Sequence, residues 1–537
     1  MAAGATWRSW YLLGSDTGIP ARYNRMFPHI QRLSSYLYSP VDVQFSVEVD
    51  KSQSEKWKQE LSIASSSLSR DFHRRAADLA FGEALDWALV KGATFVKLNW
   101  GHNGVDPWVV QPEMMGVLRE DIADLNAQEA FFHSTYLTPS MVRRMLYGKS
   151  NAEKIMKRVK ADAKKSADDP ARDDMFKQVI IGGVNPVATT TPANQAGGIV
   201  QWMSGGNIDI SPHVVQSLIR LDELWVIDDD KQDYTTIQLL GDKVVLCGED
   251  QHINLCGIEG THPFVRVCAN PMYGNIWGRS EFANLWPIQD AINQRLQGIE
   301  DVWRLQEDAP KGLIGFQGIT DEMKLSARKP GGWLVEPTPG AKIEDLAPKL
   351  PEGAFQELHD LFAMFDDIGG MTPTLTGHGE QGVRAQAHAE TLVRTSSPQV
   401  RDRALLVERQ LEDLGDLQLK MIQAHDATAF ELPPEKKGGI AAMFGGAQSK
   451  TFVLSQLPED THVSVDSHSG SPAFSEESAR LAFALNQRGA ISAADLIGLT
   501  SVQHKDRLMA AAQQREEAQA ELVRQHPELL SKGGKGR

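Results

Sequence analysis

Residues 278–302 read GRSEFANLWPIQDAINQRLQGIEDV. Apolar side chains recur at Phe282, Leu285, Ile288, Ile292, Leu296, Ile299 and Val302, in steps of three or four. This spacing predicts one buried stripe on a helix of about seven turns starting at 281. Pro310 ends it, because proline has no amide hydrogen and clashes with the preceding turn. A second stripe, Phe355, Leu358, Leu361, Phe365 and Ile368, predicts a helix over 352–369. Between them, 311–350 is rich in Gly and Pro, with short β-like pieces such as GGWLVEP. The centre of the chain is thus a helix, a small β-rich insertion and a return helix.

Upstream, helix and strand patterns mix. Residues 22–40, RYNRMFPHIQRLSSYLYSP, start helical and end at Pro40, and VDVQFSVEV at 41–49 alternates with the period of a strand. Residues 54–91 predict one long helix, with Leu61, Leu68, Phe72, Ala76, Leu79 and Leu85 near helical spacing and Gly92 as its stop. FVKLNW at 95–100, WVVQP and GVLRED predict strands. Helix returns over 139–165, where the basic run AEKIMKRVKADAKK reads as a solvated helix face. Residues 182–198 have the composition of a loop. ELWVIDDD and DYTTIQLL predict a hairpin, with Asp228 to Asp230 in its solvated turn.

Downstream, helical spacing runs from about 383 to 425, and Pro398 is expected to kink that helix. A Pro/Gly-rich connection at 429–450 leads to a predicted strand pair, KTFVL and HVSVD. In the latter, Val463 and Val465 form the core face. His462, Asp466 and His468 form a polar face read as solvent-facing, not as a metal site. Residues 475–530 are helical and rich in Ala, Gln and Glu, and the tail SKGGKGR has the composition of a disordered end.

The chain has 537 residues and a formal charge of −15. That length supports several domains and a sizeable core. No apolar run approaches the ~18–20 residues that span a bilayer, and the N-terminus lacks a signal-peptide h-region, so a soluble, non-secreted protein without membrane contact is expected. The three cysteines, Cys247, Cys256 and Cys268, lack the paired spacing of zinc or disulfide frameworks and read as free thiols. A tight DNA grip needs clustered Lys and Arg, and the overall balance is acidic.

Enzyme signatures fail one by one. GHGEQG at 377–382 spells G-x-G-x-x-G, and a nucleotide- or metal-dependent enzyme carrying this loop is the alternative reading of the chain. A dinucleotide site, however, requires a strand before the loop. Here a helix and MTPTLT precede it, and Glu380 would repel a pyrophosphate. Asp16-Thr17-Gly18 has no second such triplet to complete a protease dyad. There is no Gly-x-Ser-x-Gly elbow or Walker A lysine motif. The segment SAADLIGL after Gly489 follows a helix–turn–helix spacing but has no base-reading side chain.

The ordered set of elements resembles the portal proteins of tailed bacteriophages over roughly 22–525. The residues carrying the resemblance are SSYLYSPVDVQFSV, FGEALDWALVKGATFVKLNW and DPWVVQPEMMGVLRED in the N-terminal part. They continue with GRSEFANLWPIQDAINQRLQGIEDV in the middle and SPAFSEESARLAFALNQRGAISAADLI near the end. The resemblance implies a mixed α+β fold with a wing over 1–280, stem helices at 281–307 and 351–369, and a clip at 308–350. It further implies a tunnel loop at 370–386, a return to the wing over 387–474 with the kinked helix, and a crown and tail over 475–537.

The function implied is a non-enzymatic ring of about twelve copies at one capsid vertex. Double-stranded DNA would pass through it during packaging and ejection. The terminase large subunit and the head–tail adaptor would dock on the clip, with Lys311, Lys324, Arg328, Lys329 and Trp333 offered there. Major capsid and scaffolding proteins would be the other partners, in the virion and, during assembly, the host cytoplasm. No cofactor or metal is implied. Gly377, His378, Gly379, Glu380, Gln381, Gly382 and Arg384 would line the channel, the glycines supplying conformational freedom. A strongly negative ring would resist sticking to passing DNA.

Overall fold

The computed structural model describes residues 21–166, 219–246, 258–314, 349–370, 398–431 and 451–465, with short breaks inside these spans, and shorter pieces within 7–15, 320–322, 342–345 and 483–496. The fold is mixed α and β. Helix α1 (Met26–Leu37) leads to strand β1 (Phe45–Glu48), then helices α2 (Lys58–Arg74) and α3 (Ala77–Lys91). Strands β2 (Thr94–Gly101), β3 (Gly104–Val110), β4 (Met115–Val117) and β5 (Ala130–Leu137) follow, then helices α4 (Pro139–Met145) and α5 (Ala152–Ser166). Strands β6 (Ile219–Asp228), β7 (Asp233–Leu240), β8 (Val244–Leu246) and β9 (Phe264–Val267) precede the long helix α6 (Trp286–Glu307). Next come β10 (Lys311–Ile314), β11 (Lys342–Asp345), α7 (Ala354–Ile368) and α8 (Pro398–His425), and finally β12 (Ala429–Glu431), β13 (Thr451–Val453) and β14 (His462–Val465).

Two sheets form the β part of the body. One has the order β3-β2-β9 and the other β4-β5-β6-β7-β8, both antiparallel. One face of the five-stranded sheet is covered in two halves. At one end, Ile219, Leu221, Leu240 and Val244 pack against Val142 and Leu146 of α4 and Met156 and Val159 of α5. At the other, Phe131 and Trp225 pack against Phe95 and Phe264 of the three-stranded sheet. The predicted hairpin at 223–240 is β6–β7, in register from Leu221↔Leu240 to Asp228↔Asp233.

Helix α8 runs through the largest core, burying Val400, Ala404, Val407, Leu411, Leu414 and Met421. Its polar residues cap exposed strand edges. Gln410 acts as a substitute strand for Cys268: its Oε1 accepts from the Cys268 amide at 2.9 Å and its Nε2 donates to the Cys268 carbonyl at 2.8 Å. Asp416 and Glu412 accept from the amides of Val463 (2.6 Å) and Val465 (3.3 Å) on β14. On the other edge of that two-stranded sheet, Ser69 and Ser65 of α2 accept from Phe45 (3.0 Å) and Val47 (2.8 Å) of β1. Side chains one helical turn apart meet alternate strand amides, so edges that would attract another strand are satisfied internally.

Five expectations need correction. The helix expected over 139–165 is two, Pro139–Met145 and Ala152–Ser166, and the helix expected to start at 281 starts at Trp286, after a 3-10 turn over Glu281–Ala283. The helix expected over 54–91 is two helices, broken where Ala76 adopts a left-handed φ of 55°. The break lets α2 pack on β1 while α3 packs on β2 and β3, and it turns Leu79 out to 62% exposure. The strand expected over GVLRED covers only Met115–Val117 in β4. The segments KTFVL and HVSVD do not pair with each other: β13 pairs with β12, and β14 pairs with β1 across more than 400 residues. Gly92 stops α3 as expected, with φ 102°, and any Cβ there would lie 2.6 Å from the Trp277 carbonyl oxygen. Val463 and Val465 are buried and His462 is exposed, as alternation predicts. Cys268 is a buried free thiol, while Cys247 and Cys256 lie outside the described residues.

Candidate interaction site

Helices α6 and α7 lie against each other, and between them in sequence stands an antiparallel strand pair, β10 with β11, in which Lys311 stands opposite Asp345. The pair has a thin core of its own. Ile292 and Ile299 of α6 meet Leu358 of α7, flanked by half-buried Ile288, Leu296, Leu361 and Phe362. Arg295 and Glu357 add an exposed ion pair at 2.8 Å, a contact worth little in water. The other large apolar side chains are only half covered, and Trp303 and Phe355 meet each other across the pair with ring centroids 6.4 Å apart. Trp303 is 52% exposed, Leu305 51%, Phe355 57%, Met364 54% and Ile368 49%. Of these, Phe355 and Ile368 belong to the second predicted stripe, whereas Trp303, Leu305 and Met364 fall outside both stripes.

The base of the pair is built differently. Ser280 accepts from the Phe282 amide at 3.1 Å and donates to the Val90 carbonyl at 2.6 Å, fixing the entry to α6 against the end of α3. Arg25 donates through Nη2 to both carboxylate oxygens of Asp366, at 2.6 and 2.7 Å, while its guanidinium lies over Phe362 and Phe365. Buried Gln289 bridges the same region: its Oε1 accepts from the Arg25 amide at 3.0 Å and its Nε2 donates to the Tyr23 carbonyl at 2.9 Å. Asn293, one turn later, donates to the Gly14 carbonyl at 2.8 Å.

Glu281 is the hub beneath. It accepts from Asn270 at 2.8 Å and from Arg403 of α8 at 3.1 Å, and the His29 ring stands 3.7 Å away. Burial pushes its carboxyl up, but the bonds and charges of His29, Arg403 and Asn270 outweigh burial and hold it below the ordinary carboxylate range. Gly369 closes on the same histidine, where a Cβ would lie 2.6 Å from Cε1. The end of α7 thus lies beside His29, and Arg403, near the start of α8, reaches the Glu281 that His29 also faces.

A second polar cluster lies in the seam between the two sheets. His133, Glu223 and Gln238 are cross-strand neighbours on β5, β6 and β7. Lys97 of β2 bonds Glu223 from the opposite sheet, and His133 Nδ1 donates to the same oxygen at 3.0 Å. Burial raises the Glu223 carboxyl, and the Lys97 ammonium and His133 more than reverse this, leaving it at about 2. Burial, helped by Lys97, pushes His133 down, so its imidazole stays neutral. His262 nearby is driven by burial to about 4. This cluster has no exposed member and serves as an internal ionic joint between sheets.

Of the residues expected to act, Lys311 lies on β10 and Pro398 is the first described residue of α8. The kink expected at Pro398 involves 383–397, outside the described residues. Gly377, His378, Gly379, Glu380, Gln381, Gly382, Arg384, Lys324, Arg328, Lys329 and Trp333 also lie outside them, as do Asp466 and His468. Among the described residues there is no group of three or more metal-ligating side chains placed for an ion, and no helix long and apolar enough to cross a membrane. The clamp residues Arg25, Glu281, Gln289 and Arg403 did not stand out in the sequence. The signal was Gln289 itself, a polar residue inside an apolar stripe between Leu285 and Ile292. No protein-family model and no curated protein matches the chain.

Proposed function

We propose that this chain is a portal protein of a tailed bacteriophage: a ring-forming conduit for double-stranded DNA and a platform for terminase and the head–tail adaptor. The observation that carries the reading is the α6–α7 pair. It is clamped to its own body at one end, has the antiparallel strand pair β10–β11 between its helices in sequence, and leaves a set of large apolar side chains half exposed among the described residues. Apolar surface of this kind is expected where another copy packs. In a ring each contact is head to tail, so one face of the pair meets a different face on the neighbour.

On this reading α6 and α7 are the stem and 308–350 is the clip. The described residues flanking 371–397 include Gly369 beside His29 and Arg403 on Glu281, which suits anchors for a channel loop on this reading. The acidic balance of the chain disfavours stalling of DNA in such a channel. The test is negative-stain microscopy and sedimentation of the purified protein. Rings with a central hole are expected. Monomer or dimer alone at high concentration, with capsid-assembly partners present, would overturn the proposal.

A further inference from the structure

Helices α4 and α5 bury their apolar sides on the same face of the five-stranded sheet, through Val142 and Leu146 and through Met156 and Val159. Their outward sides therefore share one surface. That surface carries Arg143, Arg144, Lys154, Lys157 and Arg158, all exposed. Lys154, Lys157 and Arg158 follow the i, i+3, i+4 spacing of one helix face. Glu153 is the one carboxylate among the side chains described on these two helices.

Elsewhere many cations stand beside acids, as in Arg25–Asp366, Arg119–Asp121, Arg220–Asp222, Arg295–Glu357 and Arg304–Glu300. None of the five on this face forms an ion pair among the described residues. The sequence alone suggests a solvated helix face on α5. The packing of α4 beside it joins two basic sets into one patch on a chain of net charge −15. Charges farther away than about 10 Å are screened at 0.1 M salt, so a ligand at the patch meets these cations more than the acidic total.

We propose that the α4–α5 face binds the phosphate backbone of double-stranded nucleic acid without regard to sequence. The composition favours a nucleic acid over an acidic protein. A protein interface needs an apolar centre that excludes water, and Met141 is the one large apolar side chain exposed here. A phosphate backbone needs only Lys and Arg. The two helices carry no aromatic residue to stack on bases, so duplex is the expected form. The inference stands on the charge pattern and does not depend on ring formation.

The test is fluorescence anisotropy with a labelled random-sequence duplex at several salt concentrations. Five contacts predict a log–log salt slope of about −4 to −5 for the wild type. Combined K154E, K157E and R158E should weaken binding at low salt at least tenfold and flatten the slope by about 3. Lys→Gln changes at the same sites should give a smaller loss in the same direction, and they guard against misfolding by reversal. A control with K58E, R70E and R74E, exposed cations on α2, changes the total charge equally and should bind nearly as the wild type does. Equal weakening by control and test variants would reduce the effect to net charge and overturn the proposal. So would competition by poly-glutamate as strong as by unlabelled duplex, or loss of self-association with duplex binding unchanged, either of which would mark the face as a protein contact.

Discussion

The seam between the two sheets and the surface of the α6–α7 pair depart from ordinary burial in opposite directions. The seam hides charge: Lys97 and Glu223 are each 1% exposed, with His133 beside them. The helix pair displays hydrophobic bulk in Trp303, Leu305, Phe355, Met364 and Ile368. The seam is complete within one chain, because each ion finds its counter-ion and the histidine stays neutral. The surface of the helix pair is not, because each of those side chains stays about half exposed among the described residues, even where Trp303 meets Phe355. Damage to the seam should therefore act on folding at any protein concentration. Damage to the exposed face should act on association and leave folding nearly untouched.

The strongest way to break this contrast is Glu223→Ala. It strands the Lys97 ammonium in an apolar seam and should cost about 3–5 kcal/mol, seen as a concentration-independent fall in urea midpoint. The double variant Lys97→Met/Glu223→Leu should recover most of that loss, since removing both charges of a buried pair is often neutral. If the double variant were no better than the single, the ionic joint would not be what holds the seam.

Acid should come next. His262 has a folded value depressed from 6.5 to about 4. Between these values the unfolded imidazole binds a proton that the folded one refuses, so stability is lost as pH falls through this window. The loss should approach roughly 3 kcal/mol by pH 4. Glu223 is depressed from 4.5 to about 2, and its contribution should fade as pH falls through that lower range. Thermal melts from pH 7.5 to 3.5 should show the first loss, and His262→Asn should flatten it.

At the base of the helix pair, Arg25→Ala removes the Asp366 bonds and the packing on Phe362 and Phe365. It should cost about 2 kcal/mol and speed hydrogen exchange over 358–368. Arg25→Lys should restore only part of this, since an ammonium cannot match the planar guanidinium over two rings. The smallest effect on folding is expected from Leu305→Gln with Met364→Gln, half-exposed side chains that take no part in the ring contact, within about 0.5 kcal/mol. On the proposed ring reading the same pair should lower self-association at least tenfold by sedimentation. A large fall in monomer stability would show that these side chains are covered by their own chain.

The sequence alone determined which segments are helix and strand wherever periodicity was strong. The stripes from Phe282 and Phe355, the hairpin at 223–240, the stop at Gly92 and the inward faces of Val463 and Val465 were all legible, because each depends on neighbours within a few residues. The presence of the candidate helix pair was legible for the same reason, though not the start of α6 at Trp286 or its clamp. The tertiary structure decided what each face packs against. The break at Ala76 arises because α2 and α3 serve different strands. The partner of β14 is β1, from the other end of the chain. Arg25 meets Asp366 and Lys97 meets Glu223 only after folding brings distant elements together. Local spacing states that a face must be buried; its partner is set by contacts between residues that spacing never relates.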